Sequence, residues 1–180
     1  MIKLVEPSVL CFEHIKTGLS EIKNNRTPYD IHAVERLLAY MDKDFEGYME
    51  YLNSRKQPNQ PAGRVPSTTL FLFDDDQFIG VYNIRHCLNE HLKIQGGHIA
   101  YQIIPSERRK GYVKAGLKLV LKWCRQNLNL NEVLLFCNAK NIASDRAMTS
   151  VMEEVGGHRV PDHTVDGVLE RGVWIKTPDL

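Results

Sequence analysis

The sequence lacks a charge excess, a long apolar run and any low-complexity tract. Its 180 residues carry 23 Lys and Arg against 22 Asp and Glu, for a formal net charge of +1. A protein that binds duplex DNA mainly through charge is usually more basic, which counts against that class unless the cations are clustered. No stretch approaches the ~18 apolar residues of a membrane span, and residues 1–7 contain no apolar signal core. We therefore expect a cytoplasmic protein without a membrane partner.

Cysteine is scarce and its spacing carries no motif. The four cysteines are Cys11, Cys87, Cys124 and Cys137, and none belongs to a C-x-x-C pair. This spacing argues against a zinc ribbon and against a thioredoxin-type site. Because their neighbours are largely apolar, we predict small buried side chains in a reducing compartment.

What is present is the composition of an ordinary globular domain, with 43% hydrophobic and 25% charged residues. We expect one domain over residues 1–180. Apolar spacing and turn residues predict this order: strand 2–5, helices 8–22, ~31–40 and ~44–56, strands 68–73, 78–84 and 98–104, a helix from about Arg109, strand 133–137, helix 142–155 and a hairpin 158–176. Short links between the three central strands favour antiparallel pairing. The expected fold class is α/β in the α+β sense, a mixed sheet flanked by helices rather than a repeating βαβ chain.

The segment 103–113 carries the strongest chemical signal. It runs from a predicted strand through three successive cations and Gly111 into a long helix. Residues 105–125 hold seven cations and one acid, a local charge of +6. The N–H groups and positive dipole end of a helix start bind anions, and glycine lets a ligand approach the main chain. We infer a phosphate-bearing ligand, although neither a Walker loop nor a dinucleotide fingerprint is present.

Four lysines follow at helical spacing on this predicted helix. Lys110, Lys114, Lys118 and Lys122 are four residues apart and form one stripe. A solvated helix face explains the stripe better than a nucleic-acid surface, because few aromatic residues lie between the cations. We expect no nucleic-acid partner.

Two motifs resemble a known family. Arg108-Arg109-Lys110-Gly111-Tyr112-Val113 is similar to the Q/R-x-x-G-x-G/A pattern of the GNAT superfamily, the acetyl-coenzyme A (acetyl-CoA) dependent N-acetyltransferases. Asn141-Ile142-Ala143-Ser144 looks like the family's Asn-x-x-Ala/Ser signature. The resemblance extends from Val65-Pro66 to the closing hairpin and covers nearly the whole chain, as in a bacterial subgroup with unassigned substrates. It implies a GNAT fold with a mostly antiparallel central sheet.

The resemblance also implies a set of cofactor contacts. Main-chain groups of Ile103 and Ile104 would receive the pantetheine arm. The pyrophosphate would lie on the N–H groups of Arg109, Lys110, Gly111, Tyr112 and Val113, helped by the Arg108 side chain. Asn141 and Ser144 would contact the pantetheine or the adenosine. Two positions depart from the family pattern: Val113 stands where Gly or Ala is usual, and Met148 stands where many members carry a tyrosine acid.

Acetyl transfer to a primary amine by direct attack in a ternary complex needs a neutral amine, a donor to the oxyanion and protonation of the thiolate. The candidate bases are Glu90, His86 and His98, each with a structural alternative: a solvated loop acid, a structural histidine or a packed histidine. Tyr101 and Tyr112 can donate protons, although a core or stacking role is favoured for both. A metal site at His86, His91 and His98 is disfavoured, and we expect no metal.

Three matters stay open at this stage. A non-catalytic CoA-binding sensor is the alternative to an enzyme, because methionine at position 148 cannot donate a proton. The acceptor is a small-molecule or peptide amine, and the acidic segment 42–50 either attracts a cationic amine or is a solvated helix face. The hairpin 158–176 offers an edge for a homodimer.

Overall fold

The first of two sheets contains four antiparallel strands in the order β1-β2-β3-β4. The computed structural model describes residues 1–29 and 33–179. The strands are β1 (Ile2–Val5), β2 (Ser67–Asp74), β3 (Gln77–Arg85) and β4 (Ile99–Ile103). In β2 and β3 almost every side chain is buried, which explains their near-continuous β-branched and aromatic composition. The predicted antiparallel pairing of the three central strands is confirmed.

The second sheet closes the chain and contains three antiparallel strands in the order β5-β7-β6. They are β5 (Glu132–Asn138), β6 (Gly157–Val165) and β7 (Val168–Lys176). Asp166 and Gly167 both have positive φ, at 48° and 79°, and form the turn of the predicted hairpin. The expected α/β class with antiparallel sheets and flanking helices is confirmed.

In the described part of the chain, five α-helices flank the sheets in two groups. They are α1 (Phe12–Asn24), α2 (Ala33–Met41), α3 (Phe45–Lys56), α4 (Tyr112–Leu128) and α5 (Ile142–Val155). The first three share a core with one face of the first sheet, where Phe71, Phe78 and Val81 are buried. The other two share a core with the opposite face, where Leu70, Tyr82 and Ile84 are buried. The first sheet therefore separates an α1–α3 side from an α4–α5 side.

The structure corrects two expectations and leaves one outside its range. Helix α4 begins at Tyr112 rather than near Arg109, because Arg109 and Gly111 have φ of 67° and 84° and cannot continue a right-handed helix. Cys124 and Cys137 are buried as predicted, but Cys87 is exposed, since it follows the end of β3. The predicted start of the second helix at about residue 31 lies outside the described residues.

Candidate active site

The start of α4 presents main-chain donors without a side-chain cap. Gly111 is the N-cap and offers no side-chain acceptor. By contrast, Asp44 Oδ1 caps α3 by accepting from Gly47 N at 2.6 Å, and Asn141 Oδ1 caps α5 by accepting from Ser144 N at 3.2 Å. A Cβ built on Gly111 meets no atom within 4 Å. The first-turn N–H groups of α4 are therefore accessible to an anion, which is the geometry expected of a phosphate site.

A buried carboxylate holds the loop before α4 in place. Glu107 is 7% exposed and accepts from Lys110 Nζ at 2.9 and 3.0 Å and from Gln77 Nε2 at 3.0 Å. Arg108 Nε donates to Ile103 O at 3.1 Å, which ties the loop back to β4. Part of the local positive charge is thus neutralised within the loop, while Arg109 is exposed.

The main chain of β4 divides its hydrogen bonds between two sides. Ile104 N donates to Ile79 O at 2.9 Å, and Ile104 O accepts from Glu107 N at 3.0 Å. Because hydrogen-bonded pairs alternate in an antiparallel ladder, the main-chain groups of Tyr101 and Ile103 face away from β3, toward β5. Of the two isoleucines predicted to meet pantetheine, Ile103 has main-chain groups on the open side, whereas both main-chain groups of Ile104 bond within the fold.

Strands β4 and β5 lie side by side at one end and part at the other. His98 N donates to Leu134 O at 2.7 Å, and an isolated bridge joins Gly97 to Leu135. Within the part of the chain that the structure describes, no further main-chain hydrogen bond joins these two strands. The gap beyond His98 therefore leaves the Tyr101 main chain and the Ile103 N–H available to an extended ligand, while Ile103 O already accepts from Arg108 Nε.

The side chain of Tyr101 reaches the start of α5. Its hydroxyl lies 2.7 Å from Ser144 Oγ in the first turn of α5. Burial raises the pKa of Tyr101 well above its usual value, while the hydrogen bond to Ser144 lowers it and the nearby Cys137 thiol raises it. Tyr101 therefore remains protonated at neutral pH and can donate a proton. The sequence offered Tyr101 only as a disfavoured donor, because its contact with Ser144 depends on how α5 packs.

The His98 side chain is buried and hydrogen-bonded within the fold. It is 5% exposed, and its Nδ1 accepts from Leu134 N at 2.9 Å. Burial lowers the pKa of His98 to about 4, and the nearby Arg85 guanidinium contributes to the decrease. The neutral ring carries its proton on Nε2 when Nδ1 accepts. Proton uptake on His98 would therefore require loss of the Leu134 bond.

The other two candidate bases lie apart from the gap. His86 Nε2 is 2.9 Å from Thr68 Oγ1, and burial lowers the pKa of His86, with a smaller contribution from Lys56. His86 follows Tyr82, the partner of Tyr101 in the ladder, by four residues, about 13 Å along the strand. The Glu90 side chain is 91% exposed and pairs with Lys93 Nζ at 2.7 Å. The structure does not bring these three candidates together.

The two departures from the family pattern have different structural settings. Met148 is 1% exposed within the core between α5 and the sheets, so it contributes to packing. Val113 is half-buried, and its main-chain oxygen accepts from Tyr82 Oη at 3.3 Å. Tyr112, the second tyrosine considered as a donor, bonds Asp74 Oδ2 at 2.9 Å and fastens α4 to the end of β2.

The lysine stripe pairs with a neighbouring helix. Glu154 of α5 accepts from Lys114 at 2.9 Å and also from Lys118. These lysines lower the pKa of Glu154 to about 2. The contacts favour the solvated-face interpretation of the stripe over a nucleic-acid surface.

Among the described residues, neither a membrane-spanning helix nor a cluster of metal ligands is found. No helix in the described part of the chain is long and apolar enough to cross a membrane. The described residues also contain no group of three or more His, Cys, Asp or Glu placed to hold a metal ion.

Within the described residues, two antiparallel sheets and five flanking helices carry an uncapped helix start close to strands β4 and β5. A family model described as "Acetyltransferase (GNAT) domain" matches residues 26–151. The chain therefore belongs to the GNAT acetyltransferase family. The family uses acetyl-CoA, and the open donors at Gly111 fit its pyrophosphate.

Solved structures of acetyltransferases share this fold. RimJ from Mycobacterium smegmatis, in complex with CoA-disulfide, has a TM-score of 0.67 and 15% identity over 97% of this chain and 81% of that one. A chimera of the spermidine N-acetyltransferase SpeG from Vibrio cholerae and hSSAT has a TM-score of 0.60 and 15% identity over 98% and 95%. A dodecameric structure of the Vibrio cholerae enzyme has a TM-score of 0.58 and 13% identity over 98% and 93%. No curated protein sequence matches the chain significantly.

Proposed function

We propose that this protein transfers the acetyl group of acetyl-CoA to a primary amine of a small-molecule or peptide acceptor, by direct attack in a ternary complex. The observation that carries the proposal is the uncapped start of α4 next to the open main-chain edge of β4. A CoA-type ligand has an anionic pyrophosphate, which the helix start can bind, and an extended arm, which can pair with the strand edge. Bound acetyl-CoA supplies an activated thioester.

The cofactor contacts follow from this geometry. The main-chain donors of residues 109–113 and the Arg108 side chain would bind the pyrophosphate. Ile103 would pair with the pantetheine arm through its main chain. Asn141 and Ser144, at the start of α5, lie across the gap from Tyr101 and would contact the same arm. The assignment of Ile104 is the weakest of the set, since its N–H and C=O both bond within the fold.

Tyr101 combines two roles in the proposed reaction. Its main-chain N–H, on the open side of β4, would donate to the thioester carbonyl oxygen as negative charge develops there. Its hydroxyl, 2.7 Å from Ser144 Oγ, would return a proton to the departing thiolate. The amine nitrogen forms the new bond to carbon as the carbon–sulfur bond breaks.

In this proposal no side chain is assigned as the base that accepts the proton of the amine. His98 is bonded to Leu134, His86 is about 13 Å along the strand from the Tyr82–Tyr101 pair, and Glu90 faces solvent. We propose that water accepts the proton and that positioning supplies much of the rate. Glu90, His86 and His98 stay predictions from the sequence.

Calorimetric titration with acetyl-CoA tests the proposed pyrophosphate site at residues 109–113, which we call the cradle. We expect the wild-type protein to bind at sub-millimolar concentration and Gly111→Asp to weaken the affinity at least about 10-fold, because a carboxylate is added beside the pyrophosphate. Gly167→Asp is the matched control, since Gly167 has φ of 79° and its added Cβ also meets no atom within 4 Å. Gly111→Ala carries the same backbone strain without the charge.

Two results would count against the proposal in different ways. Absence of binding by the wild-type protein, or equal affinity in Gly111→Asp, removes the cradle. Normal binding with no acetylation of any amine in a broad panel supports the sensor alternative instead.

A further inference from the structure

A cavity lined by four arginines opens on the α1–α3 side of the first sheet. Its volume is about 200 Å³, and it lies between α2, α3 and the ends of β2 and β3. Arg36, Arg55, Arg64 and Arg85 line it together with neutral residues, and no carboxylate is found among the described residues of its lining. The size suits a ligand smaller than a typical drug molecule.

The two arginines deepest in the fold bond only to neutral oxygens. Arg85 Nη1 donates to Gly96 O at 3.0 Å and to Gly97 O at 2.8 Å. Arg55 donates to Val65 O at 3.2 Å and to Gln60 Oε1. These bonds fix the direction of both guanidinium groups but leave their positive charges uncompensated.

The arginines also act on one another. Within the described residues, none of the four forms a salt bridge to a carboxylate. Burial lowers the pKa of Arg85, and Arg55 lowers it further. Burial likewise lowers the pKa of Arg55, with further decreases from Arg64 and Arg36. Since arginine remains charged in proteins, the cluster is repulsive by itself and is stabilised by a bound anion.

A second, smaller cavity adjoins the arginine cavity and reaches β4. A smaller cavity of about 40 Å³ shares Tyr51, Arg55 and Asn83 with the arginine cavity and reaches Ala100. Asn83 pairs with Ala100 in the sheet, and Arg85 lies two residues further along β3 on the same face. That spacing is about 7 Å. Ala100 immediately precedes Tyr101, so an acceptor held in the cavity has its far end beside the proposed reaction centre.

The geometry points to an acceptor that carries an anionic group, a carboxylate or a phosphate, held by Arg36, Arg55, Arg64 and Arg85 while its amine faces β4. This inference rests on the proposed function, because only an acetyltransferase would use the bound anionic compound as its acceptor. It selects against the cationic acceptor that the acidic segment 42–50 suggested. In the structure Asp42 pairs with Lys16 at 2.9 Å and Asp44 caps α3, so both carboxylates have structural partners.

The first experiment compares matched amines in the presence of acetyl-CoA. The panel is 4-aminobutanoate, 3-aminopropyl phosphate, butylamine and 1,4-diaminobutane, which differ in the group opposite the amine. We expect kcat/KM for the carboxylate or the phosphate compound to exceed that of the other two at least about 10-fold, as charge-assisted hydrogen bonds allow. The better of the two anionic compounds identifies the anion. Equal or faster turnover of butylamine or the diamine would overturn the inference.

Reversing the charge of one cavity arginine tests whether the preference for anionic amines arises in this cavity. Arg64 is exposed, and Arg64→Glu should lower the ratio of kcat/KM between the anionic and neutral amines about 10-fold or more. Lys122→Glu, an equal charge change at an exposed position of α4, should leave that ratio unchanged. Arg85 is not substituted, because it holds the Gly96 and Gly97 carbonyls. A ratio that responds equally to both substitutions would assign the preference to overall charge and overturn the site.

Direct binding separates this inference from the proposed function. Glutarate is titrated into the wild-type protein, the Arg36→Glu/Arg64→Glu variant and Gly111→Asp, which blocks the cradle at α4. We expect binding to the wild type and to Gly111→Asp, and at least about 10-fold weaker binding to the double variant. If no amine is acetylated but glutarate binds in this pattern, the proposed function fails and the anion site stands. If amines are acetylated and glutarate binding is absent, or unchanged in the double variant, the anion site fails.

Discussion

At the scale of single residues, Tyr101 connects the two halves of the proposed reaction centre. Its main chain belongs to β4 and its hydroxyl lies 2.7 Å from Ser144 Oγ of α5. The position that carries the family's tyrosine acid holds Met148 here, which is 1% exposed in the core. The Tyr101 hydroxyl lies next to α5, and we propose it as the proton donor that the motif comparison alone does not provide.

Removal of this hydroxyl tests the assignment. Tyr101→Phe should lower kcat at least about 10-fold and leave the affinity for acetyl-CoA nearly unchanged, because general acid catalysis acts on the departing thiolate. Ser144→Ala should lower kcat less, since Tyr101 keeps its proton. Steady-state kinetics of both variants is compared with Tyr29→Phe, which removes a hydroxyl from a half-exposed ring. A normal kcat for Tyr101→Phe would refute the role.

At the scale of secondary-structure elements, helix α5 is fastened to the closing hairpin by one carboxylate. Asp145 is 8% exposed, and it accepts from Arg171 Nη1 at 3.0 Å and from Arg159 Nη1 at 3.3 Å. Arg171 belongs to β7 and Arg159 to β6. Because Asn141 and Ser144 lie in the first turn of the same helix, this attachment sets where the far wall of the gap lies.

The attachment predicts a stability effect. Asp145→Ala should lower the free energy of unfolding by about 2–4 kcal/mol, because a buried acceptor with two arginine donors is lost. Asp162→Ala should cost less than about 1 kcal/mol, since Asp162 is half-exposed and its salt bridge to Arg171 Nε is long, at 3.4 Å. Chemical denaturation of both variants measures the difference. Equal losses at the two positions would show that Asp145 has no special part in holding α5.

At the scale of the whole molecule, the two sheets are joined through His98. Its main-chain N–H and its ring nitrogen Nδ1 both bond to Leu134 of β5, and Trp174 of β7 lies 6.0 Å from its ring. This junction is also the point from which β4 and β5 part. A neutral imidazole is required there, because a protonated ring cannot accept from Leu134 N.

The requirement predicts a pH dependence of stability. His98 has a pKa of about 4 in the folded protein against 6.5 for an ordinary histidine, so the unfolded chain binds more protons between these values. Stability therefore falls as pH decreases from about 6.5 to about 4 and has no His98 contribution above that window. The loss is about 3 kcal/mol, because each unit of difference between the two pKa values corresponds to about 1.4 kcal/mol.

Denaturation curves at a series of pH values measure this loss. His98→Asn should flatten the decrease between pH 6.5 and pH 4 while lowering stability at pH 7. The same substitution at the exposed His158 controls for the removal of one imidazole. A decrease of wild-type size in His98→Asn would contradict the assignment of that proton to His98.

The sequence by itself determined the features that depend on neighbours along the chain. Apolar periodicity and turn residues predicted the order of strands and helices, and the cations around Gly111 predicted an anion site at the start of α4. These signals are local, since capping, turn conformation and the helix dipole each involve residues only a few positions apart. The start of α4 was placed three residues early, because the positive φ of Arg109 and Gly111 cannot be read from composition.

Tertiary structure decided the rest. The four arginines of the cavity come from α2, α3, a loop and β3, and no local sequence motif predicts that they meet. Tyr101 and Ser144 are 43 positions apart and meet only because β4 and α5 face the same gap. The bonds between His98 and Leu134 likewise join positions that are far apart along the chain. Contacts between distant residues depend on strand register and on the packing of helices against sheets, and pattern along the chain does not encode either one directly.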